Sequence, residues 1–199
     1  MKKRSGFLTG YRLVFGLLGF SALVTEIAVL VERNVFDPVN FFSYFTVENN
    51  ILVVLALLLG AVGVRADKFR SAVTVYILIV GLGFAALLSG LDGVEFTAVP
   101  WDNAVLHYIM PIAMAIDLLL DRPRVRIAFK RALVWLLFPL IYVVYSLVRG
   151  NLTGWYPYPF LNPANGIEPL ILTVGGIVVL ALVLTWMVAR LSSAKGKTA

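Results

Sequence analysis

The stretch FFSYFTVENNILVVLALLLG, residues 41–60, joins a polar segment to an uninterrupted apolar run. The apolar part has the composition of a helix inside a lipid bilayer, because about 20 mostly apolar residues cross the hydrocarbon layer. The part before it carries a hydroxyl, a carboxylate and two amides, which hydrocarbon does not accept without partners. The stretch therefore predicts a membrane helix with a polar site near one end.

The whole chain repeats this apolar pattern. Of its 199 residues, 60% are hydrophobic and only 14% are charged, which is outside the range of soluble domains. We predict an all-α polytopic membrane protein, a single domain of six transmembrane helices joined by short polar connections. The predicted spans are 11–31, 41–64, 71–91, 103–120, 132–147 and 169–189.

The basic residues are divided unevenly between the two sides of the predicted bundle. Only Arg33 and Arg149 fall on one side. The positive-inside rule therefore predicts a multi-pass protein of the inner membrane with both termini in the cytoplasm. A basic rim against anionic headgroups also accounts for the net charge of +6, so we predict the bilayer as a partner and no nucleic acid. The oligomeric state is left open. The basic residues on the predicted cytoplasmic side are Lys2, Lys3, Arg4, Arg12, Arg65, Lys68, Arg70, Arg122, Arg124, Arg126, Lys130, Arg131, Arg190, Lys195 and Lys197.

Composition also limits the chemistry of a site. The chain has no cysteine and one histidine, His107. Disulfides and thiolate ligands are excluded, and a zinc or di-iron cluster is disfavoured because such sites need several histidines, cysteines or clustered carboxylates. We predict neither a metal nor a cofactor.

Three polar side chains that are energetically costly to bury in a membrane are predicted at one depth of the bundle. Thr46 in the second span, His107 in the fourth and Glu26 in the first each lie about five residues from the outer face, or about 7 to 8 Å at 1.5 Å per residue. Such groups in membrane spans usually face the bundle interior or a wet cavity. Asn49 and Asn50 share a helix face with Thr46, whereas Glu48 points elsewhere. This pattern predicts a polar pocket that opens outward.

The pocket holds the groups that ester hydrolysis requires, namely a nucleophile, a base and donors for the oxyanion. We predict Thr46 as nucleophile and His107 as base. We predict that Asn49 or Asn50 donates a hydrogen bond to the oxyanion. We predict that Glu26 or Glu48 orients the imidazole of His107. The aromatic connection before the sixth span is a candidate lid, and the predicted pocket or lid residues are Tyr44, Tyr142, Arg149, Tyr156 and Tyr158.

Structural interpretations of the same residues remain open. The Thr46 hydroxyl can instead donate back to the carbonyl of Phe42, as buried helix threonines often do. His107 and the two asparagines can instead form hydrogen bonds that hold neighbouring helices together. The aromatic connection also fits an interfacial belt. A non-catalytic lipid-binding or proton-linked transport protein is the alternative function.

Two further expectations concern the fourth span. Pro111 cannot donate to the carbonyl of His107, so we expect a local kink with a free acceptor there. Asp117 lies deeper and is expected to pair with Arg122 or Arg131.

Three segments resemble a known family: YFTVENN (44–50), HYIMPIAMAIDLLL (107–120) and YPYPFLNP (156–163). They are similar to a bacterial six-helix membrane family with paired proline motifs. That family is distantly similar to the androgen-induced-gene and androgen-dependent TFPI-regulating proteins. The latter are intramembrane threonine hydrolases of fatty acid esters of hydroxy fatty acids. The resemblance implies Thr46 as nucleophile, His107 as base and a lipid or fatty acyl ester as substrate. The segment around Thr46 departs from the animal pattern in being more polar, at Glu48 and Asn50.

Overall fold

The architecture is that of an all-α bundle, as the apolar periodicity predicts. A computed structural model describes residues 6–91 and 96–193, and within these ranges six helices are long and apolar enough to cross a membrane. The predicted basic residues Lys2, Lys3, Arg4, Lys195 and Lys197 lie outside the described ranges.

The six helices are numbered α1 to α6 along the chain. Helix α4 contains a π-helical turn and α5 contains a 3₁₀ turn, and both are counted as parts of their helices. The bounds are α1 Gly6–Glu32, α2 Phe45–Val62, α3 Asp67–Leu87, α4 Pro100–Leu120, α5 Phe129–Thr153 and α6 Ile167–Ser193.

Helix α2 is shorter than predicted, and the reason lies in the residues just before it. A separate short helix, Pro38–Phe41, is capped by Asp37, whose carboxylate accepts from the backbone N–H groups of Val39 and Asn40. The chain then turns before α2 begins, so Thr46 is the second residue of α2 rather than five residues inside it. At its other end α2 stops at Gly63, whose φ of 111° is accessible mainly to glycine.

The helices pack unevenly. Helix α1 lies against α2, α2 against α3, and α4 closes the group by contacting α1, α2 and α3. Helix α6 packs on α3, whereas α5 approaches α6 mainly through its first two turns, Phe129–Leu136. Helices α5 and α6 therefore expose most of their apolar surface, as expected for residues that face lipid.

We call the end where α1 begins and α6 ends the basal end, and the opposite end the site end. Near the basal end a buried ion-pair network joins three helices. Asp117 of α4 accepts from Arg12 of α1 and from Arg70 of α3, each at 2.6 Å. Arg12 also reaches Asp121 at 3.0 Å, and Arg70 donates to the Asp121 carbonyl. We call these four residues the basal cluster.

The basal cluster corrects one expectation. Asp117 does not pair with Arg122 or Arg131, which are close in sequence, but with arginines from other helices. Asp117 and its partners Arg12 and Arg70 are buried, whereas Arg122 and Arg131 are exposed. Arg12, which the sequence places on the basic rim, is only 3% exposed.

Candidate active site

The two predicted reactive groups meet at the site end. The hydroxyl oxygen Oγ1 of Thr46 on α2 lies 3.3 Å from Nε2 of His107 on α4. Both side chains are buried. The Thr46 hydroxyl is thus directed at the neighbouring helix, and its hydrogen-bond partners are His107 and Tyr158 rather than the carbonyl of Phe42.

His107 lies in a π-helical turn of α4, Val105–Ile109. Pro111, four residues later, has no N–H for the His107 carbonyl. The wider π-helical turn accommodates this missing hydrogen bond. Within it, the backbone N–H of Met110 donates to the carbonyl of Val105, five residues earlier. Gly81 of α3 makes room for the turn, because a Cβ there would lie 2.8 Å from the Pro111 ring and 3.2 Å from the His107 carbonyl oxygen. Single π-helical turns are frequent at functional sites.

The second ring nitrogen of His107 fixes its tautomer. Nδ1 lies 3.2 Å from the carbonyl oxygen of Asn103, which only accepts, so Nδ1 carries the proton. Nε2 is then free to accept from the Thr46 hydroxyl. The ring also stacks on Phe84 of α3, with centroids 4.0 Å apart. The orienting role predicted for Glu26 or Glu48 is therefore filled by a backbone carbonyl and an aromatic ring.

The start of α2 is capped in an unusual way. Tyr44, its N-cap residue, makes no side-chain cap. The first backbone N–H groups of a helix lack intrahelical partners. Here Phe45 N–H donates to the hydroxyl of Tyr142 at 3.3 Å, and Thr46 N–H donates to the hydroxyl of Tyr158 at 3.2 Å. Tyr142, on α5, in turn donates to the carbonyl of Ser43 at 2.9 Å. Two tyrosines thus hold the backbone that carries Thr46.

Tyr158 is the closest neighbour of Thr46 from the loop between α5 and α6. Its hydroxyl lies 3.2 Å from Thr46 Oγ1 as well as from the Thr46 nitrogen. Its ring stacks on Phe160 at 5.2 Å and meets Tyr44 edge-on at 5.9 Å. Burial raises the pKa of Tyr158 to about 12, so the hydroxyl keeps its proton at neutral pH and remains a donor.

A polar cavity of about 340 Å³ gives access to these groups. We call it the vestibule. The polar and aromatic residues on its wall include Glu26, Arg33, Tyr44, Thr46, His107 and Tyr158. Glu26 thus joins Thr46 and His107 at one level, as the depth comparison predicts. Its carboxylate accepts from the backbone N–H of Ala98 at 2.7 Å.

The two asparagines have a structural role in this arrangement. Asn49 donates to the carbonyl of Phe45 at 2.7 Å, and Asn50 donates to the carbonyls of Thr46 at 2.9 Å and Leu106 at 3.1 Å. Both amide hydrogens of Asn50 and one of Asn49 are therefore engaged by backbone carbonyls, which differs from the oxyanion role predicted for them. Asn50 instead ties α2 to the start of the π-helical turn, and this bond sets the spacing between Thr46 and His107.

Three other predicted residues lie outside the vestibule wall. Arg149 donates to Asn40 at 2.6 Å and stacks over Trp155 at 4.4 Å, so it does not neutralise Glu26. Tyr156 packs against Gly150 of α5, where a Cβ would overlap its ring. Glu48 is half-buried and has an oxygen without a hydrogen-bond partner among the described residues.

Sequence reasoning missed three contributors to the site. Arg33 lines the vestibule, and its only signal was its place as one of two arginines on the outer side. Asp102, fully buried in the first turn of α4, lies beside Glu26. Phe84, which stacks on His107, gave no signal because it is one of many aromatic residues in the spans.

The chain matches no family model, no curated protein and no solved structure in the comparisons with known proteins. The geometry of the site must therefore support any functional conclusion by itself.

Proposed function

We propose that this protein is an intramembrane ester hydrolase in which Thr46 is the nucleophile and His107 the general base. The observation that carries the proposal is the 3.3 Å contact between Thr46 Oγ1 and His107 Nε2, with Nδ1 held by the Asn103 carbonyl. A nucleophile, a base within hydrogen-bond reach and a third group that orients the base are the arrangement of covalent hydrolases. The proposed substrate is a lipid or fatty acyl ester.

The reaction would proceed in two halves. Thr46 Oγ1 attacks the ester carbonyl carbon while its proton passes to His107 Nε2. The tetrahedral intermediate then collapses, and the alcohol leaves with the proton from Nε2, so that the acyl group stays on Thr46. In the second half water attacks this acyl-threonine, His107 takes the water proton, and the free acid departs as the Thr46 hydroxyl is restored.

Charge on the carbonyl oxygen would be stabilised by the start of α2. The hydroxyls of Tyr142 and Tyr158 already accept from the N–H groups of Phe45 and Thr46, so the start of α2 contributes through its helix dipole, which favours negative charge. The Tyr158 hydroxyl lies beside both the Thr46 nitrogen and Oγ1. We assign Tyr158 as the side-chain donor for the oxyanion, in place of the asparagines predicted from the sequence.

Membership in the six-helix family with paired proline motifs is part of the same proposal. It rests on the segments that contain Thr46, His107 and Tyr158, and the contact between these three residues supports it. A fatty acid ester of a hydroxy fatty acid is the substrate type that the resemblance implies. We also propose that the protein lies in the inner membrane with both termini cytoplasmic, on the distribution of Lys and Arg. The vestibule would then open outward.

Substitution of the reactive pair tests the mechanism. We expect Thr46→Val to lower hydrolysis of fluorogenic fatty acyl esters by about 10³-fold or more, because no other hydroxyl takes its place. His107→Gln should lower it by about 10² to 10⁴-fold. A fluorophosphonate probe should label the wild-type protein at Thr46.

The matched control is Thr74→Val. Thr74 is a buried membrane threonine whose hydroxyl bonds back to the carbonyl of Arg70 at 2.8 Å, away from the vestibule. The Thr74→Val protein should retain the hydrolase activity of the wild type. Full turnover in both Thr46→Val and His107→Gln would refute the mechanism.

A second candidate function has its own observation. Glu26 lines the vestibule, and its carboxyl group lies beside that of Asp102, which is fully buried. Paired carboxyls of this kind occur in proton-linked lipid transport. Proton-coupled lipid flux in liposomes that persists in Thr46→Val and is lost in Asp102→Asn would favour transport over hydrolysis.

A further inference from the structure

A second cavity adjoins the vestibule and differs from it in chemistry. It lies between α3, α5, α6 and the loop before α6, and we call it the apolar cleft. Its volume is about 70 Å³. Its walls between the helices are formed by Ile79, Gly83, Leu87, Pro139, Val143 and Ile177. Hydroxyl groups enter the lining only through Thr46, Tyr142 and Tyr158.

Thr46 and Tyr158 line both cavities. The reactive hydroxyl is therefore placed where a polar chamber and an apolar chamber meet. An ester has two substituents that diverge from its carbonyl carbon. A carbonyl bound at Thr46 would direct one substituent into each chamber.

We propose that the apolar cleft is the acyl-chain subsite of this hydrolase and takes a long unbranched acyl chain that enters from the bilayer. This inference rests on the proposed function. The alcohol portion of the ester then occupies the vestibule, where Glu26 and Arg33 supply polar and charged contacts. The substrate class is thus a membrane lipid ester with an apolar acyl side and a hydrated alcohol side.

The size of the cleft and the packing of α5 indicate how the chain enters. The cleft is small, at about 70 Å³ against about 340 Å³ for the vestibule, so it encloses only the part of the chain next to the carbonyl. The rest of the chain must extend toward lipid. Close backbone packing of α5 on α6 among the described residues is concentrated in Phe129–Leu136, at the basal end, whereas at the site end α6 packs against the 3₁₀ turns Pro159–Leu161 and Pro163–Asn165 of the loop before it. We infer that the chain passes between α5 and α6 at the site end.

The cleft should discriminate between acyl chains by their shape more than by their binding affinity. A chain that leaves lipid for an apolar cleft exchanges one apolar environment for another, so no large hydrophobic gain is available. Filling the cleft should therefore slow the reaction of long acyl chains more than that of short ones.

Gly83 offers the means to fill it. A Cβ on Gly83 would have no heavy atom within 4 Å, although the residue lines the cleft. Gly83→Phe can thus place a ring in the cleft without a clash at its base. Gly175 of α6 also has free space around a Cβ, but it is exposed and lines neither cavity, so Gly175→Phe is the matched control.

The experiment compares para-nitrophenyl acetate with para-nitrophenyl palmitate on purified protein. We expect Gly83→Phe to lower the ratio of kcat/KM for the palmitate to kcat/KM for the acetate by about tenfold or more. Gly175→Phe should change neither. Equal loss of both esters, or no loss of either, in a Gly83→Phe protein with the wild-type melting temperature would overturn the inference.

A second measurement does not depend on catalysis. Palmitic acid with a diazirine close to its carboxyl group should photolabel the cleft walls of the Thr46→Val protein, at residues such as Val143 and Ile177. Gly83→Phe should remove this label, whereas Gly175→Phe should not. A label located elsewhere would overturn the subsite. If the wild type cleaves neither ester but the cleft is labelled, the proposed hydrolysis fails and the subsite stands.

Discussion

The two ends of the bundle both bury polar groups in a membrane protein, but they do so in opposite ways. In the basal cluster both oxygens of Asp117 accept from arginines, and the arginines have further acceptors. At the site end, the buried carboxylate and amide oxygens without a partner among the described residues belong to Glu48, Asn49, Asn50, Asp102 and Asn103. A large cavity accompanies only the second set.

This difference separates a structural polar group from a functional one. A charge in a low-dielectric interior must be paired, and a fully paired network holds helices together. The groups with unused acceptors at the site end lie within five residues of Thr46 or His107 along α2 and α4. They carry a cost that packing does not explain, and such costs are typical of binding and catalytic sites. Substitutions at the two ends should therefore affect different measured quantities.

The largest effect is expected at the basal cluster. Asp117→Asn removes the negative charge between Arg12 and Arg70, which are 3% and 6% exposed. Among the described residues, Arg12 then keeps only the partly exposed Asp121 and Arg70 only Asp67, at 3.9 Å, as charged partners. Because the fully buried partner of both arginines is lost, we expect a loss of about 3 to 5 kcal/mol in the free energy of unfolding. Denaturant titration of the protein in detergent measures it.

The same variant should leave the chemistry of the folded fraction intact. Asp117 lies about 15 Å along the α4 axis from His107, at 1.5 Å per residue. Wild-type stability together with lost turnover would contradict the division between the two ends.

A smaller effect is expected from Tyr158→Phe at the site end. It removes the donor beside Thr46, and loss of one oxyanion donor lowers kcat by about 10²-fold, or about 2.7 kcal/mol. The matched control is Tyr142→Phe, since Tyr142 caps the neighbouring N–H of Phe45 but makes no contact with the Thr46 hydroxyl.

Both tyrosine variants should lose similar stability, of about 1 kcal/mol each, because each exposes one orphan N–H of α2. Only Tyr158→Phe should lose turnover. Equal turnover in the two variants would mean that Tyr158 acts only as a cap.

The smallest effect concerns acid sensitivity at the edge of the basal cluster. Burial works against the charged form of Asp121, but the hydrogen bond from Arg12 and the charges of Arg70, Arg12 and Arg65 prevail and lower its pKa. A group with a lowered folded pKa stabilises the protein above its unfolded pKa, about 3.9 for aspartate, and loses that contribution as pH falls through the folded value.

Asp121→Asn should therefore cost less than about 1 kcal/mol at neutral pH, as is typical of a partly exposed pair. The difference from the wild type should shrink below about pH 4. Melting temperatures recorded from neutral to acid pH check this. A difference that grows on acidification would contradict the assigned pairing.

Much of the fold was predictable because it depends on composition and spacing. The six spans follow from long apolar runs. The shared level of Glu26, Thr46 and His107 follows from counting residues along the spans. The start of α2 was not predictable, because the turn after Phe41 depends on a cap at Asp37 and on bonds from Tyr142 and Tyr158.

The partners of the site residues were harder to predict than the residues themselves. The sequence pointed to Asn49 and Asn50 as donors because they share a face with Thr46. Both amides donate to backbone carbonyls within reach, which no face argument reveals. Likewise, the group that orients His107 is the backbone carbonyl of Asn103. Every residue has a backbone carbonyl, so the residue type gives no indication of this role.

By itself the sequence determined that this is a six-helix membrane bundle with a threonine, a histidine and a glutamate at one level. Hydrophobic runs and residue spacings are local properties of the chain, so they can be read without knowledge of how the helices pack. Only the tertiary structure decided which groups touch, because helix rotation and loop placement depend on the side chains of all six helices together. It turned Thr46 toward His107, placed the Tyr158 hydroxyl beside that of Thr46, and set Thr46 between a polar and an apolar chamber.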